Sequence, residues 1–145
     1  MRRGIDSSFL IALEIREHEQ HRLAHELVDR CITAGNRFAL TPEILAEFIH
    51  VACDPRRFVQ PLLLSEALRV ARDWWEAEET EQLHTDAASV AVFFDWMTCH
   101  RLGRKRILDT MLAATLHEAG VKSLLTLNPD DFRIFGCFEL LPAAA

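Results

Sequence analysis

Short apolar runs alternate with longer amphipathic stretches along the whole chain. Arg2–Ile5 reads as a strand that runs into Asp6-Ser7-Ser8, a cap-like trio opening a helix. A second helix, Glu19–Thr33, carries Leu23, Leu27, Val28 and Ile32 at helical spacing and stops at Ala34-Gly35-Asn36. Arg37–Leu40 is a strand, and Thr41-Pro42 caps a helix that reaches Cys53. Leu64–Glu79 predicts an amphipathic helix with Leu64, Leu68, Ala71 and Trp75 on its apolar face. Gln82–His84 reads as a third strand. Asp86–Leu102 and Ile107–Ala119 read as helices closed by Gly103 and Gly120. Ser123–Leu127 is an apolar strand followed by a turn, Asn128-Pro129-Asp130-Asp131, and Phe138–Leu141 is a final strand.

Strands alternating with helices predict an α/β fold, a central mostly parallel sheet covered on both faces. Ligands of such sheets gather at the carboxyl ends of the strands. Asp6 and the segment 128–131 follow two of the strands and belong on that edge. With no repeat, low-complexity tract or linker, residues 1–145 read as a single domain.

Half of the 145 residues are apolar, 26% are charged, and Gly and Pro number five each, which suits a packed core rather than a disordered chain. A net charge of -6 argues against a general nucleic-acid coat protein. It leaves room for an enzyme whose acidic residues hold a cation. Cys31, Cys53, Cys99 and Cys137 form no CxxC and read as buried free thiols in a reducing cytoplasm. The opening Met1-Arg2-Arg3 and Phe9–Leu13 imitate a signal peptide, but Asp6 and Glu14 interrupt the pattern. No stretch is long enough to span a membrane, so a cytoplasmic protein is expected.

The candidate chemistry is acidic. Winding Ile107–Ala119 at about 100° per residue puts Thr110, His117 and Glu118 on a polar arc and leaves Asp109 beside Leu112, Ala113 and Leu116. A carboxylate there is costly to desolvate unless a cation meets it, although the first turn of a helix also favours an acid. Glu47 shares a polar stripe with Glu43 and His50, a pattern that usually faces water. Its i,i+4 repulsion with Glu43 is one that a bound cation would relieve. Asp6 suits a helix N-cap, and Asn128 and Asp131 suit a turn. Taken together, acids from separate segments at one strand-end cleft fit a hard divalent ion. Such an ion serves phosphodiester hydrolysis by activating water, neutralising the phosphate and steadying the leaving oxygen.

The sequence resembles the PIN-domain family, over about residues 2–141. Gly4-Ile5-Asp6-Ser7-Ser8-Phe9-Leu10 is similar to the opening strand and first acid of PIN domains. Thr41-Pro42-Glu43-Ile44-Leu45-Ala46-Glu47-Phe48 resembles the second motif, with its acid at Glu47. Arg106–Thr115 resembles the third, with its acid at Asp109. Leu124–Phe132 has the Thr-x-Asn-x-x-Asp-Phe form of the fourth. In its small size the chain looks most like VapC-type toxins. The resemblance implies a three-layer α/β/α fold and a Mg²⁺-dependent ribonuclease, with Mn²⁺ as a substitute. It also implies a homodimer and a VapB-like antitoxin partner.

On that basis Asp6, Glu47 and Asp109 would hold the metal, and Asn128 with Asp131 would complete or orient its shell. Asn128 departs from those PIN domains that have Asp at this place; the amide can position water or phosphate but contributes less to holding a second ion, a loss that Asp130 or Asp131 could offset. Arg104 and Arg106, in the cluster Arg101, Arg104, Lys105 and Arg106, are candidates for RNA phosphates. A solvated helix end explains that cluster equally well, as it does Arg56 and Arg57. The competing reading is a catalytically inactive PIN-fold module that binds RNA or protein. A dehalogenase-like phosphatase is disfavoured because Ser8 stands where its second Asp belongs.

Overall fold

The computed structural model describes residues 1–143. Five strands, β1 (Arg2–Ile5), β2 (Arg37–Leu40), β3 (Thr80–Gln82), β4 (Ser123–Leu125) and β5 (Glu139–Leu141), form one sheet in the order β3-β2-β1-β4-β5. Every described pairing in it is parallel. Helices α1 (Ser7–Glu14) and α2 (His21–Thr33) join β1 to β2, and α3 (Pro42–Ala52) and α4 (Leu64–Glu76) join β2 to β3. Helices α5 (Ala87–Cys99) and α6 (Ile107–Glu118) join β3 to β4, and the short α7 (Asp130–Arg133) joins β4 to β5.

The topology sets the functional edge. From β1 the chain moves outward through β2 to β3, then crosses back to lay β4 on the other side of β1. Parallel crossovers are right-handed, so reversing direction puts α5 and α6 on the face opposite α1–α4. This is the expected three-layer α/β/α architecture. The reversal also opens a crevice between the carboxyl ends of β1 and β4, where loops leave in opposite directions. The backbone N–H of Asp6 donates to Leu125 O (3.1 Å), carrying the β1–β4 pairing to the lip of that crevice.

Burial explains why these segments form these elements. Strands β1, β2 and β4 bury Ile5, Phe38, Leu40, Leu124 and Leu125 between the helical layers. Two caps are those the sequence suggests, Asp6 accepting from Phe9 N and Thr41 from Ile44 N, and Asp86, expected within α5, caps it by accepting from Ser89 N. Gly35 and Gly120, with φ of 77° and 75°, follow the ends of α2 and α6. Gly4 is required by a close approach: a Cβ there would stand 2.7 Å from a methyl of buried Leu116 on α6.

Several expectations need correction. The apolar face of α2 is Ala24, Leu27, Val28 and Cys31, with Leu23 and Ile32 exposed. That of α4 is Ala67 and Ala71, flanked by half-buried Val70, Trp74 and Trp75, while Leu64 and Leu68 face out. Leu27, Val28 and Ala71 are buried and Trp75 half-buried as expected, but the small residues Ala24, Cys31 and Ala67 take the places expected of the outer leucines and Ile32. Helix α4 ends at Glu76, where the Thr80 hydroxyl donates to Trp74 O, and β3 therefore begins two residues before the expected Gln82. Arg101, with φ 52°, takes the left-handed position after α5 in place of Gly103. Thr110 leaves the polar arc entirely. It is fully buried, its hydroxyl donating to Arg106 O (2.6 Å) four residues back. Asp130 and Asp131 start α7 rather than sit in a simple turn. Of the four free thiols only Cys31 is buried; Cys53 and Cys137 are half-buried and Cys99 is exposed. Among the described residues, no helix is long and apolar enough to cross a membrane.

Candidate active site

The crevice gathers polar side chains from four separate segments. Asp6, immediately after β1, is 4% exposed. One carboxylate oxygen accepts from Ser8 Oγ (2.6 Å) and Phe9 N (3.0 Å), and the other accepts from the Thr126 hydroxyl, which enters from the end of β4. The same hydroxyls tie down the neighbouring loop. Leu127 N donates to Ser8 Oγ (3.1 Å) and Asn128 N to Thr126 Oγ1 (3.0 Å). Asp6 is thus both the N-cap foreseen for it and part of the crevice lining. A cap and a ligand need the same thing, a fixed carboxylate at a strand end.

Glu47, half-buried on α3, meets this group through Ser7, whose Oγ donates to Glu47 Oε1 (2.8 Å). Glu43 and His50, on the same stripe, are exposed. Asp109 sits half-buried in the first turn of α6. Burial pushes its carboxyl up to about 7, and the charges of Asp131, Asp6 and Glu47 add to the shift, with Arg106 opposing them. The Asp6 carboxyl is likewise raised, chiefly by burial and a little by Glu47, against the lowering effect of its hydrogen bonds from Ser8, Thr126 and Phe9. Carboxyls raised by one another's charge share a site whose negative potential is undercompensated.

Asp131 is held by Arg106, whose guanidinium donates to the Asp131 main-chain carbonyl and pairs with its carboxylate (Nε–Oδ1 3.8 Å). Arg106 Nε is buried with no hydrogen-bond partner of its own. The geometry therefore gives Arg106 an internal partner, whereas Arg104 is exposed. Asn128, exposed on the β4–α7 loop, fixes Asp131 through its carbonyl, which accepts from Asp131 N (3.1 Å).

The donor set consists of carboxylate, amide and hydroxyl oxygens, the chemistry that suits Mg²⁺ or Mn²⁺ and not a thiolate- or imidazole-seeking metal. As they stand, no three His, Cys, Asp or Glu side chains among the described residues are arranged as a metal-ligand group. The electrostatic coupling at Asp109 and this spacing are compatible: like charges repel, and carboxylates can couple at a distance at which they do not close on one point. The residues fit a hard cation in kind and in charge.

Sequence reasoning brought forward Asp6, Glu47, Asp109, Asn128 and Asp131, and the fold collects all of them at one edge. It saw Ser7 and Ser8 only as part of a helix cap and Thr126 only as part of a motif, and missed that they hold the carboxylates. The available signal was three hydroxyl residues directly following the ends of two buried strands.

No curated protein sequence matches the chain. Solved structures that share its fold include three of VapC or VapBC proteins. VapC20 of Mycobacterium tuberculosis, a toxin that cleaves the sarcin-ricin loop, superimposes with a TM-score of 0.69 at 17% identity, covering 92% of this chain and 95% of that one. VapBC-1 of nontypeable Haemophilus influenzae gives 0.68 at 14% identity, with coverages of 97% and 96%. VapBC2 of Rickettsia felis, bound to a DNA fragment from its promoter, gives 0.65 at 14% identity, with 97% of each chain covered. Residues 5–135 match the PIN domain. A parallel sheet reversing beside β1, acids from four segments at that reversal and this match across nearly the whole sequence lead to one assignment: the chain belongs to the PIN-domain family.

Proposed function

We propose that this protein is a divalent-metal-dependent endoribonuclease that hydrolyses RNA phosphodiester bonds, acting as the toxin of a VapBC-like toxin–antitoxin pair. One observation carries the reading: Asp6, Glu47, Asp109 and Asp131 share one strand-end site, where burial first, and then the charges of Asp131, Asp6 and Glu47, push the Asp109 carboxyl up to about 7. Asp6, Glu47 and Asp109 would hold Mg²⁺ or Mn²⁺, with Asp131 and Asn128 orienting its shell. When bound, the ion supplies an activated water and charge neutralisation at the phosphate. The protein's own share is positional. Ser8, Thr126 and Phe9 N keep Asp6 fixed and ionisable, Ser7 restrains Glu47, and Arg106 sets Asp131.

The partners follow the same reading. The VapBC structures among the fold relatives support a VapB-like antitoxin partner. Leu63, Leu64 and Leu68 along α4 are more than half exposed, and such an apolar ridge supports a homodimer. A cytoplasmic location agrees with four free thiols.

The test is cleavage of labelled RNA with and without Mg²⁺ or Mn²⁺, beside Asp6→Asn and Asp109→Asn. Wild type cuts only with metal, and each variant loses at least about 100-fold in rate. Equal cleavage by all three proteins removes the proposal. A non-catalytic RNA- or protein-binding role is the second reading, favoured by Asn128 and by the open spacing of the carboxylates. Calorimetry that registers no Mg²⁺ or Mn²⁺ binding selects it.

A further inference from the structure

Beside the acid cluster lies a groove of about 710 Å³. Ser7, Ser8, Glu47 and Asn128 line the end it shares with the cluster, and Arg57 and His18 line it beyond. Arg57 belongs to the segment joining α3 to α4, and His18 to the turn joining α1 to α2. The two segments are fastened together by Glu17, whose carboxylate oxygens accept from Val59 N (3.1 Å) and Gln60 N (2.9 Å). Leu62 N donates to Ala52 O (2.9 Å) and Arg57 N to Asp54 O (3.1 Å), so the segment leaves α3 in a defined path. The two neighbouring arginines differ in how they are engaged. Asp54 holds Arg56 (Nε–Oδ1 3.1 Å), whereas no described carboxylate forms an ion pair with exposed Arg57. His18 Nδ1 accepts from Gln20 N (3.0 Å), so the neutral ring keeps its proton on Nε2 as a donor. Half-buried Phe58 and Leu127 give the groove apolar surface against which a base can lie.

Resting on the nuclease reading, we infer that this groove is a single-stranded RNA subsite for the nucleotide beside the cleaved phosphodiester, with Arg57 holding a backbone phosphate. The logic is electrostatic. A chain of net charge -6 with four coupled acids in its crevice repels RNA, and an unpaired cation on a fixed segment beside those acids offsets that repulsion locally. Arg106, the cation nearest the acids by sequence, is already engaged by Asp131.

The experiment measures binding of a labelled single-stranded RNA by fluorescence anisotropy in EDTA over a range of KCl concentrations, with wild type, Arg57→Ala, Arg57→Lys and Arg56→Ala. Arg57→Ala weakens binding about tenfold and flattens the log–log salt slope by about 0.7, the loss of one phosphate contact. Arg57→Lys keeps the slope, and Arg56→Ala matches wild type. In Mg²⁺, Arg57→Ala raises KM and leaves kcat within about twofold. An unchanged slope in Arg57→Ala, an equal loss in Arg56→Ala, or no RNA binding by wild type overturns the subsite. If wild type cleaves RNA while Arg57→Ala binds as wild type does, the subsite alone fails. If wild type cleaves no RNA in Mg²⁺, the nuclease reading fails first.

Discussion

Thr126 donates its hydroxyl to a carboxylate that burial has already made costly to ionise, so the side chain acts on charge as well as shape. Replacing it with Val leaves one Asp6 oxygen without a donor, raises the Asp6 carboxyl further and destabilises the fold by about 1–3 kcal/mol. Cleavage by Thr126→Val should fall about 10–100-fold, with the rising limb of the pH–rate profile moved to higher pH. An unmoved profile would reduce Thr126 to a packing residue. Asp109 makes a second prediction. Its folded value, about 7, lies above the ordinary carboxyl value of 3.8, so the folded state holds a proton that the unfolded chain has released. The stability this provides is present in acid and is lost as pH climbs through about 7. Metal-free protein should therefore lose Tm between about pH 4 and about pH 7, more steeply than Asp109→Asn, and level off above, and Mn²⁺ should restore more Tm at the higher pH. At this scale the carboxylates were legible because each sits in a short motif at a strand end or in a helix's first turn. Their hydroxyl partners were not, since Ser and Thr at helix starts have many ordinary uses. Thr110 was misread for a related reason: its hydroxyl is satisfied by its own helix, leaving it free to be buried.

Between elements, the closest constraint joins β1 to α6. Gly4 leaves room for the Leu116 methyls, and these two elements carry Asp6 and Asp109 respectively. Gly4→Ala overpacks that contact and should cost about 1–3 kcal/mol, read as a lower midpoint in urea at unchanged slope. Because the strain falls between two acid-bearing elements, Mn²⁺ affinity should fall with it. A variant of wild-type stability would show that Leu116 shifts freely. The strands were readable from composition where both faces are buried, as in Phe38-Ala39-Leu40 and Ser123-Leu124-Leu125. Strand β3, Thr-Glu-Gln at the sheet edge, carries little apolar signal, and its register is set by pairing with β2, which sequence alone does not display. Helices α2 and α4 were found by period, and Leu27, Val28 and Ala71 are buried as expected, but Leu23, Ile32, Leu64 and Leu68 face out while Ala24, Cys31 and Ala67 fill the remaining contacts.

At the scale of the whole molecule, alternation of strands and helices made the three-layer architecture legible, and the rule for parallel sheets located the crevice before its contents were known. What the pattern lacked was the strand order, which depends on where the chain turns back. The surface adds a prediction of its own. A homodimer through the α4 ridge buries Leu64 and Leu68, so light scattering should give twice the chain mass for wild type and the single-chain mass for a Leu64→Lys, Leu68→Lys double variant. A double variant that stays dimeric would move the interface elsewhere.

The proposed chemistry depends on the acids that follow β1 and lie on α3 and α6 closing on one cation. The most direct measurement is Mn²⁺ titration followed by electron paramagnetic resonance at about pH 8, on wild type, Asp109→Asn and Asp130→Asn. Wild type and the exposed-site variant Asp130→Asn should take up Mn²⁺ alike, and Asp109→Asn should bind at least about tenfold more weakly. Equal uptake by Asp109→Asn, or none by wild type, would contradict a shared metal centre.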